Sequence, residues 1–371
     1  MKVLHVTPSY YPAFVYGGPI RTTHELNLAL ARLGAEVRVL TTDANGPARL
    51  AESGKVVEYS GVRVHYVPRT ISPDISVPIL EELPGQVRWA DVVHITAVYS
   101  STTIPALAAA AGRGKPVFWS PRGAMSVWEG SPKQTMKAGW DAVCRLVAPQ
   151  RTTILAASER EAEAARAKFP AFRTVVVGNG VAVPESLPER SPSDELRVVF
   201  LGRIHPIKAV ENLIDAVRTA AEKGLRCRLT IAGGGDAAYI AGLKQRCAGV
   251  NAVFVGEVEE EGKAALFSQA DVLVLPSYSE NFGMVVAEAL AHGVPVIAST
   301  NTPWKEVEAQ GCGLWVNNSP ESLAAALEKM AGSDRAAMGE RGRQWMRSEF
   351  AWEKQARRVY SLYEESLQTA R

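Results

Sequence analysis

The sequence predicts an α/β protein built from two domains, each with a parallel sheet. Short runs rich in β-branched residues alternate with longer Ala-, Leu- and Glu-rich segments, as where crossover helices join parallel strands. Most of these short runs are continuously apolar, which is typical of strands covered by helices on both faces of a sheet. The alternation restarts after a segment with three prolines at 183–194, which indicates a linker followed by a second domain.

The elements follow in order along the 371 residues. Strands of the first series are expected at Val3–Thr7, Glu36–Thr41, Arg63–Val67, Val92–Thr96, Pro116–Ser120, Thr153–Ala157 and Thr174–Val177. Strands of the second series are expected at Arg197–Leu201, Arg228–Ala232, Ala252–Val255, Val272–Leu275, Pro295–Ala298 and Gly313–Val316. A capping box, with Ser158 and Glu161 bonding each other's amides, predicts a helix start. The resulting organisation is an N-terminal domain at 1–182, a linker at 183–194, a C-terminal domain at 195–351 and a last helix at 352–371.

Composition excludes several classes of protein. With 47% hydrophobic and 22% charged residues, the chain resembles an average globular protein with a sizeable core. Its longest apolar stretches, such as Ile104–Ala111, are shorter than the ~18 residues of a membrane span. The N-terminus has no signal-peptide pattern, so we expect a cytoplasmic protein. The four cysteines form no C-x-x-C pair, which argues against zinc and disulfides.

Charge is distributed unevenly along the chain. Residues 1–180 hold 20 Lys and Arg against 14 Asp and Glu, and the remainder holds 21 against 25. No basic stripe alternates with aromatic residues, so nucleic-acid binding is not expected. The segment Met125–Arg151 combines basic and apolar side chains that would suit peripheral binding to an anionic membrane, with ordinary core packing as the competing interpretation.

Ligands of open parallel sheets bind beyond the carboxyl ends of the strands, so the loops there are the candidate sites. The first such loop, Gly17-Gly18-Pro19, precedes a helix predicted over Ile20–Leu33. Its glycines allow close approach of a ligand, and Pro near the helix start leaves the terminal amides available to an anion. A plain turn into a helix is the alternative. The loop is not G-x-G-x-x-G, which disfavours a nicotinamide dehydrogenase.

The second loop carries Gly202, Arg203 and Lys208 directly after a predicted strand. Two cations five positions apart suit a pyrophosphate, because Arg binds two oxygens at once and Lys supplies a point charge. A pair of solvated cations is the alternative. His205, between them, is interpreted as a loop histidine whose hydrogen bonds are satisfied, not as a general base.

The third loop, after the strand ending at Leu275, contains Glu280 and runs into a helix that starts at Gly283 or Met284. Glu288 lies about one turn inside that helix, so the two carboxylates sit at different depths around a positively polarised helix end. This placement suits Glu280 for a sugar hydroxyl and Glu288 for a ribose diol. Glu288 has apolar neighbours on both sides and therefore needs a partner.

Together with the Val-Gly-Asn-Gly-Val run at 177–181, these three loops resemble the glycosyl transferases group 1 family, which is glycosyltransferase family 4-like. The resemblance covers nearly the whole chain, and Glu280 with Glu288 seven residues beyond is its most specific part. It implies the GT-B fold, with two Rossmann-like domains facing each other across a cleft. It also implies a retaining transfer of a hexose or N-acetylhexosamine from a UDP- or GDP-sugar to a saccharide or polyprenyl-linked saccharide, in surface polysaccharide or glycoconjugate assembly.

The resemblance also assigns roles to residues. Arg203 and Lys208 would hold the donor pyrophosphate, and Glu280 would contact the transferred sugar; these three form the predicted catalytic set. The last helix would return to the first domain. The predicted donor-binding residues are Gly17, Gly18, Asn281, Phe282, Gly283, Met284 and Glu288.

Two segments depart from the family pattern. Many members carry a histidine in the loop that here reads Trp119–Met125, and this loop has none. Arg122 is the candidate there, either as a positive charge at the reacting centre or as a contact for an acidic acceptor. The segment Ser299–Glu306 stands where many members have a Gly-Gly pair.

The chain has no Asp-x-Asp and no histidine cluster, so we expect no metal, with fixed cations and a helix end meeting the charge of the leaving diphosphate. No covalent nucleophile stands out, which favours departure and attack on the same face of the sugar. A nucleotide-sugar epimerase and a non-catalytic nucleotide-sugar binding protein remain alternatives. The donor base, the acceptor, the linkage and the oligomeric state stay open.

Overall fold

A computed structural model describes residues 1–70, 75–125, 134–188, 190 and 193–368. The chain divides into two compact units, which are Met1–Gly180 with Trp352–Arg371, and Val181–Ala351. Each unit is an α/β layer structure around its own mainly parallel sheet, as the fold class predicted from the sequence requires.

The strands begin and end close to the positions expected from the apolar runs. They are β1 Lys2–Val6, β2 Glu36–Thr42, β3 Ala44–Asn45, β4 Ala48–Arg49, β5 Val56–Tyr59, β6 Val62–Val67, β7 Val92–Thr96, β8 Val117–Ser120, β9 Thr152–Ala156, β10 Arg173–Val176, β11 Leu196–Leu201, β12 Cys227–Ala232, β13 Ala252–Gly256, β14 Val272–Leu275, β15 Val296–Ser299 and β16 Gly313–Val316.

The helices connect these strands. They are α1 Gly18–Arg32, α2 Pro78–Trp89, α3 Thr103–Ala111, α4 Gln134–Val147, α5 Glu159–Lys168, α6 Val210–Glu222, α7 Ala237–Arg246, α8 Glu260–Ser268, α9 Met284–Ala291, α10 Glu306–Ala309, α11 Pro320–Ala331, α12 Arg335–Trp345 and α13 Trp352–Gln368. Single 3₁₀ turns lie at Phe14–Tyr16 and Pro206–Lys208, and a π-helical turn at Met346–Phe350 precedes α13.

The first unit contains an eight-stranded sheet in the order β10-β9-β8-β7-β1-β2-β6-β5. Its strands pair in parallel except for the edge strand β5, which runs antiparallel to β6. Neither β5 nor the small β3–β4 hairpin was expected from the sequence. The side chains of β5 are at most half-buried, so its residues lack the continuous apolar run of a central strand.

Helix α5 corrects a detail of the predicted capping box. Ser158 Oγ does accept a hydrogen bond from the Glu161 amide at 3.3 Å. The Glu161 carboxylate, however, accepts from the amides of Ala157, at 2.7 Å, and of Gly123, instead of from Ser158. The glutamate therefore joins the start of α5 to the loop after β8.

Helix α13 is part of the first unit, where Trp352, Val359 and Tyr363 are buried in its core. Gly180 lies against the Trp352 ring, and a Cβ added there would come within 2.3 Å of it. Only glycine fits this contact, which explains why the 177–181 run carries a glycine at that position.

The second unit contains a six-stranded parallel sheet in the order β13-β12-β11-β14-β15-β16. Apolar side chains on one face of the sheet, such as Phe200 and Ile231, form a buried core with helical residues such as Leu327. The sheet grows outward from β11 in one direction and then continues from β14 in the other. The boundary between β11 and β14 is thus the topological switch point, where open α/β sheets bind ligands.

Candidate functional site

Two loops that were singled out in the sequence leave adjacent strands at this switch point. Residues 202–209 follow β11 and residues 276–283 follow β14, which pair in parallel. The Tyr278 amide donates a hydrogen bond to the Ile207 carbonyl at 2.8 Å, which holds the two loops side by side. The structure therefore brings Arg203 and Lys208 to the same edge of the sheet as Glu280.

Lys208 and Glu280 form an ion pair. The Lys208 ammonium contacts Glu280 Oε1, which also accepts from Ser277 Oγ at 2.8 Å. The two side chains are only 20% and 11% exposed, so this pair is largely shielded from water. Ser277 is itself held by the Ser299 hydroxyl, which donates to its carbonyl at 2.6 Å. The serines fix the carboxylate in one orientation, and the sequence analysis missed both.

The 3₁₀ turn Pro206–Lys208 carries the lysine to this position. His205 caps the turn, its Nδ1 accepting from the Ile207 amide at 3.2 Å. Arg203 differs from Lys208, because it is exposed and has no hydrogen bond or ion pair with any residue in the described part of the chain. One cation of the loop is thus engaged by Glu280, and the other is available to a ligand.

A glycine-rich loop that sequence reasoning missed packs against these residues. Gly233 and Gly235 follow β12. A Cβ added to Gly233 would lie 1.8 Å from the Gly202 carbonyl oxygen, and one added to Gly235 would lie 2.1 Å from the Ile204 carbonyl oxygen. The Ile204 amide donates to the Gly234 carbonyl at 2.7 Å. Three consecutive glycines at a strand exit were the signal available in the sequence, and they let two backbones meet without side chains.

The predicted helix start is formed by Gly283, whose φ of +77° is left-handed, with Met284 as the first residue of α9. A Cβ on Gly283 would meet Leu275 at 3.0 Å and the Trp304 indole at 3.2 Å. Trp304 belongs to the segment that departs from the family pattern, and its Nε1 donates to the Phe282 carbonyl. The indole therefore supports the loop from behind, while the Phe282 ring is buried against it.

Glu288 has the partner that its apolar surroundings require. Lys263 of α8 places Nζ 2.7 Å from Glu288 Oε1, and the side chains are 16% and 14% exposed. The sequence indicated that a partner was needed but not which residue supplies it, since Lys263 lies 25 positions earlier. Asn281 is half-buried in the loop between the two glutamates.

Gly17, Gly18 and Arg122 belong to the first unit. Gly17 has φ +79° and caps α1, whose exposed first turn contains Gly18 and Pro19. No atom of the described residues lies within 4 Å of a Cβ added at either glycine, so a ligand could approach the backbone of this turn. The Gly17 amide donates to the Phe14 carbonyl at 2.8 Å and the Ile20 amide to the Gly17 carbonyl at 3.2 Å.

Arg122 has a left-handed backbone, with φ +53°, and its Nη1 donates to Asn179 Oδ1. Burial lowers the pKa of its guanidinium, and the nearby Glu161 carboxylate opposes that shift. Its Nε is buried and has no hydrogen-bond partner among the residues described. The arginine thus joins the loop after β8 to the 177–181 run and lines a small cavity with Trp352.

Two histidines that the sequence analysis did not single out lie in the interior of the first unit. His5 and His94, on the paired strands β1 and β7, stack with ring centroids 4.3 Å apart. Burial lowers the pKa of His5 to about 4, and burial, His5 and Arg122 lower that of His94 well below its usual value. The two rings are therefore neutral near pH 7. His94 also bonds the Tyr363 hydroxyl, which joins α13 to the sheet.

Comparison with known families identifies the architecture. Residues 17–180 match the family model described as a glycosyl transferase 4-like domain, and residues 185–345 match the one described as glycosyl transferases group 1. The chain belongs to the glycosyl transferases group 1 family. The resemblance inferred from the sequence motifs is thereby confirmed.

Curated relatives support the family over part of their length. A D-inositol 3-phosphate glycosyltransferase of Streptomyces griseus is 37% identical over 153 residues, which is 38% of this chain and 32% of the relative. A GDP-mannose-dependent alpha-(1-6)-phosphatidylinositol dimannoside mannosyltransferase of Mycobacterium tuberculosis is 29% identical over 43% of this chain and 44% of the relative. The matched segments thus cover between about a third and less than half of the length of these relatives.

Solved structures match over the whole chain. A sucrose-phosphate synthase from Thermosynechococcus elongatus has a TM-score of 0.75 at 22% identity, with 100% of both chains covered. HepE of Anabaena in complex with UDP has a TM-score of 0.73 at 18% identity, covering 98% of this chain and 100% of HepE. These likenesses establish the fold, and the predicted GT-B fold class is confirmed.

Proposed function

We propose that this protein is a retaining glycosyltransferase that moves a hexose or N-acetylhexosamine from a UDP- or GDP-sugar to a saccharide or polyprenyl-linked saccharide. The observation that carries the proposal is the arrangement at the β11–β14 switch point. There a cationic loop with Arg203 and Lys208, the acid Glu280 and the start of α9 come together. Family membership supports the same reaction class.

The proposed roles follow from charge. Breaking the bond between sugar and phosphate leaves a nucleoside diphosphate, whose negative charge has to be met at the moment it develops. Arg203 is exposed and unpaired within the described chain, so it can bind two phosphate oxygens without first losing another partner. Lys208 adds a second positive charge, and the α9 amides near Gly283 and Met284 add a positive helix end.

We propose that these fixed charges take the place of a divalent ion. No three His, Cys, Asp or Glu side chains in the described ranges are grouped so that they could hold a metal ion. Activity is therefore expected to survive EDTA. Loss of turnover with the chelator and its recovery with Mg²⁺ or Mn²⁺ would contradict this part of the proposal.

Retention is proposed to occur by departure and attack on the same face of the sugar, with the leaving diphosphate accepting the proton of the acceptor hydroxyl. Glu280 lies next to Lys208, the cation proposed to hold that diphosphate, and its carboxylate is fixed by Ser277. It is therefore suited to bind a hydroxyl of the transferred sugar and not to move as a nucleophile. NMR of the product gives the anomeric configuration directly, and an inverted product would exclude this mechanism.

The deciding experiment incubates the purified chain with UDP- and GDP-sugars, with and without saccharide acceptors, and follows release of nucleoside diphosphate. Transfer that needs both substrates is the expected result. An epimer formed from donor alone would instead identify a nucleotide-sugar epimerase. Nucleotide-sugar binding without any turnover, across acceptors, would identify a binding protein.

We further propose that the protein works in the cytoplasm, at the inner face of the cytoplasmic membrane. Helix α4 supports this, because its residues Met136, Val143 and Leu146 are 67%, 42% and 85% exposed beside Lys137 and Arg145. Its opposite face packs inward, with Cys144 buried. No helix in the described part of the chain has the length and apolar character needed to span a membrane.

The membrane proposal is tested by flotation with vesicles that contain anionic lipid. Binding at low salt that weakens in a Leu146→Glu variant is expected, since the charge removes apolar surface from the bilayer. No association of the unaltered chain at low salt would remove the proposal. Two residues of the basic and apolar segment, Trp128 and Lys133, lie outside the described residues.

A further inference from the structure

Among the residues that the structure describes, the carboxylate of Glu288 has a hydrogen-bond partner on one of its two oxygens. Lys263 Nζ lies 2.7 Å from Oε1, whereas no residue in the described ranges donates a hydrogen bond to Oε2. The carboxylate thus presents one neutralised oxygen and one oxygen available to a ligand. Such an arrangement leaves an acceptor of fixed position beside the third loop of the switch point.

Lys263 comes from a helix whose position against α9 is fixed at a second point. Phe267, one turn after Lys263, packs on His292, one turn after Glu288, with ring centroids 5.0 Å apart. The His292 ring also bonds the Glu288 carbonyl through Nδ1 at 2.8 Å. Lys263 contacts Glu288, and Phe267, four residues later, contacts His292, which is also four residues later. These two contacts fix α8 against this part of the chain and therefore restrict the position of the Lys263 ammonium.

Burial distinguishes this ion pair from a surface pair of the same unit. Lys223 and Glu328 also approach to 2.7 Å, but their side chains are 54% and 40% exposed, against 16% and 14% for Lys263 and Glu288. Exposed pairs of this kind contribute little, whereas removal of one partner of a buried pair leaves an uncompensated charge. The orientation of the Glu288 carboxylate therefore depends on Lys263.

We propose that Lys263 is a positioning residue for nucleotide recognition: by binding Oε1 of Glu288, it turns Oε2 toward the ribose hydroxyls of the donor. This inference rests on the proposed function, in which Glu288 binds the ribose of a nucleoside diphosphate sugar. Lys263 itself need not touch the ribose. Because Lys263 orients the Glu288 carboxylate before the nucleotide binds, that carboxylate can distinguish ribose from deoxyribose.

The test measures dissociation constants of GDP, UDP and their 2′-deoxy analogues by titration calorimetry on the full chain. For the unaltered protein we expect one of the ribonucleotides to bind about 10- to 100-fold more tightly than its 2′-deoxy form, since one hydrogen bond to a charged group is lost. In Lys263→Met this ratio is expected to fall to about 3-fold or less, because the carboxylate is no longer oriented. Lys263→Arg, which keeps a cation, is expected to restore most of the ratio.

Lys223→Met is the matched control, because it removes a lysine at the same distance from a glutamate on the surface of the same unit. It should leave the ratio unchanged. If circular dichroism shows that Lys263→Met does not fold, Lys263→Gln replaces it, with the same loss of discrimination expected.

The outcomes separate this inference from the proposed function. Failure of the unaltered chain to bind any nucleoside diphosphate would contradict the proposed function itself. Binding without preference for ribose, or a preference that persists in a folded Lys263 variant, would overturn the positioning role while leaving the proposed function intact.

Discussion

The ammonium group of Lys208 contacts the carboxylate of Glu280 across two loops that follow neighbouring strands. A cation assigned to the pyrophosphate is thus bonded to an acid assigned to the transferred sugar. Each side chain is largely buried and keeps the other in place. Under the proposed function, binding of a diphosphate beside Lys208 would therefore change the electrostatic environment of the Glu280 carboxylate.

Glu280→Gln is expected to lower kcat by about 100-fold or more while changing the dissociation constant of the nucleoside diphosphate by less than about 3-fold. The amide keeps the shape of the side chain but removes the charge that we propose faces the transferred sugar. Steady-state kinetics with titration of the free nucleotide separate the two effects. Glu328→Gln, at a surface ion pair of the same unit, is the control. Equal losses in binding and turnover would mean that Glu280 does not serve the transferred sugar.

Arg203→Ala is expected to weaken nucleoside diphosphate binding by about 10-fold or more with no loss of stability, because the guanidinium has no partner to lose in the described chain. Titration calorimetry and thermal unfolding measure the two quantities. Arg228→Ala, which removes an exposed arginine from β12, should change neither. An unaltered affinity in Arg203→Ala would move the diphosphate away from this loop.

Gly233→Ala tests the glycine-rich loop. An alanine Cβ there would lie 1.8 Å from the Gly202 carbonyl oxygen, so the two loops have to separate. We expect a loss of about 2–4 kcal/mol in the free energy of unfolding and weaker nucleotide binding. Gly242→Ala, in α7, where no atom lies within 4 Å of the added Cβ, should be neutral or slightly stabilising. Urea unfolding compares the two, and equal behaviour would show that the loops do not need their close contact.

Strand positions were predictable because central parallel strands are continuously apolar. Runs such as Val272–Leu275 can be recognised as strands from their apolar composition alone. Edge strand β5 lacks that signature, although the Ser60-Gly61 turn between two β-branched runs was a usable sign of a hairpin. A buried central strand is therefore easy to predict from the sequence, whereas an exposed edge strand is not.

The candidate site was predictable as a set of loops but not as a set of contacts. Residues 202–208 and 280–288 each stand out by their chemistry. Lys208 contacts Glu280 because β11 lies beside β14 in the sheet. The local sequence does not indicate this strand order. The same holds for Lys263, whose pairing with Glu288 depends on how α8 packs on α9.

The stacked histidines of the first unit make its stability sensitive to acid. Each ring uses both nitrogens: His5 bonds Asn27 at 2.9 Å and Thr96 at 2.7 Å, and His94 bonds Tyr363 and Ser120. The pKa of His5 is lowered to about 4, mainly by burial, and that of His94 is lowered well below 6.5. Near pH 5 the unfolded chain therefore binds protons that the folded chain does not.

Because the folded pKa lies below the unfolded one, the stabilisation is complete above about pH 6.5 and is lost as the pH falls toward 4. We expect the free energy of unfolding to drop by about 2 kcal/mol for His5 alone between pH 7.5 and pH 5, measured by urea unfolding. His5→Gln should remove about 2 kcal/mol of this pH dependence and leave the part contributed by His94 and by His24, whose pKa is also lowered by burial, whereas His205→Gln, at an exposed position of the second unit, should keep all of it. If His5→Gln has the same pH dependence as the unaltered chain, protonation of the His5 ring does not cause the loss of stability in acid.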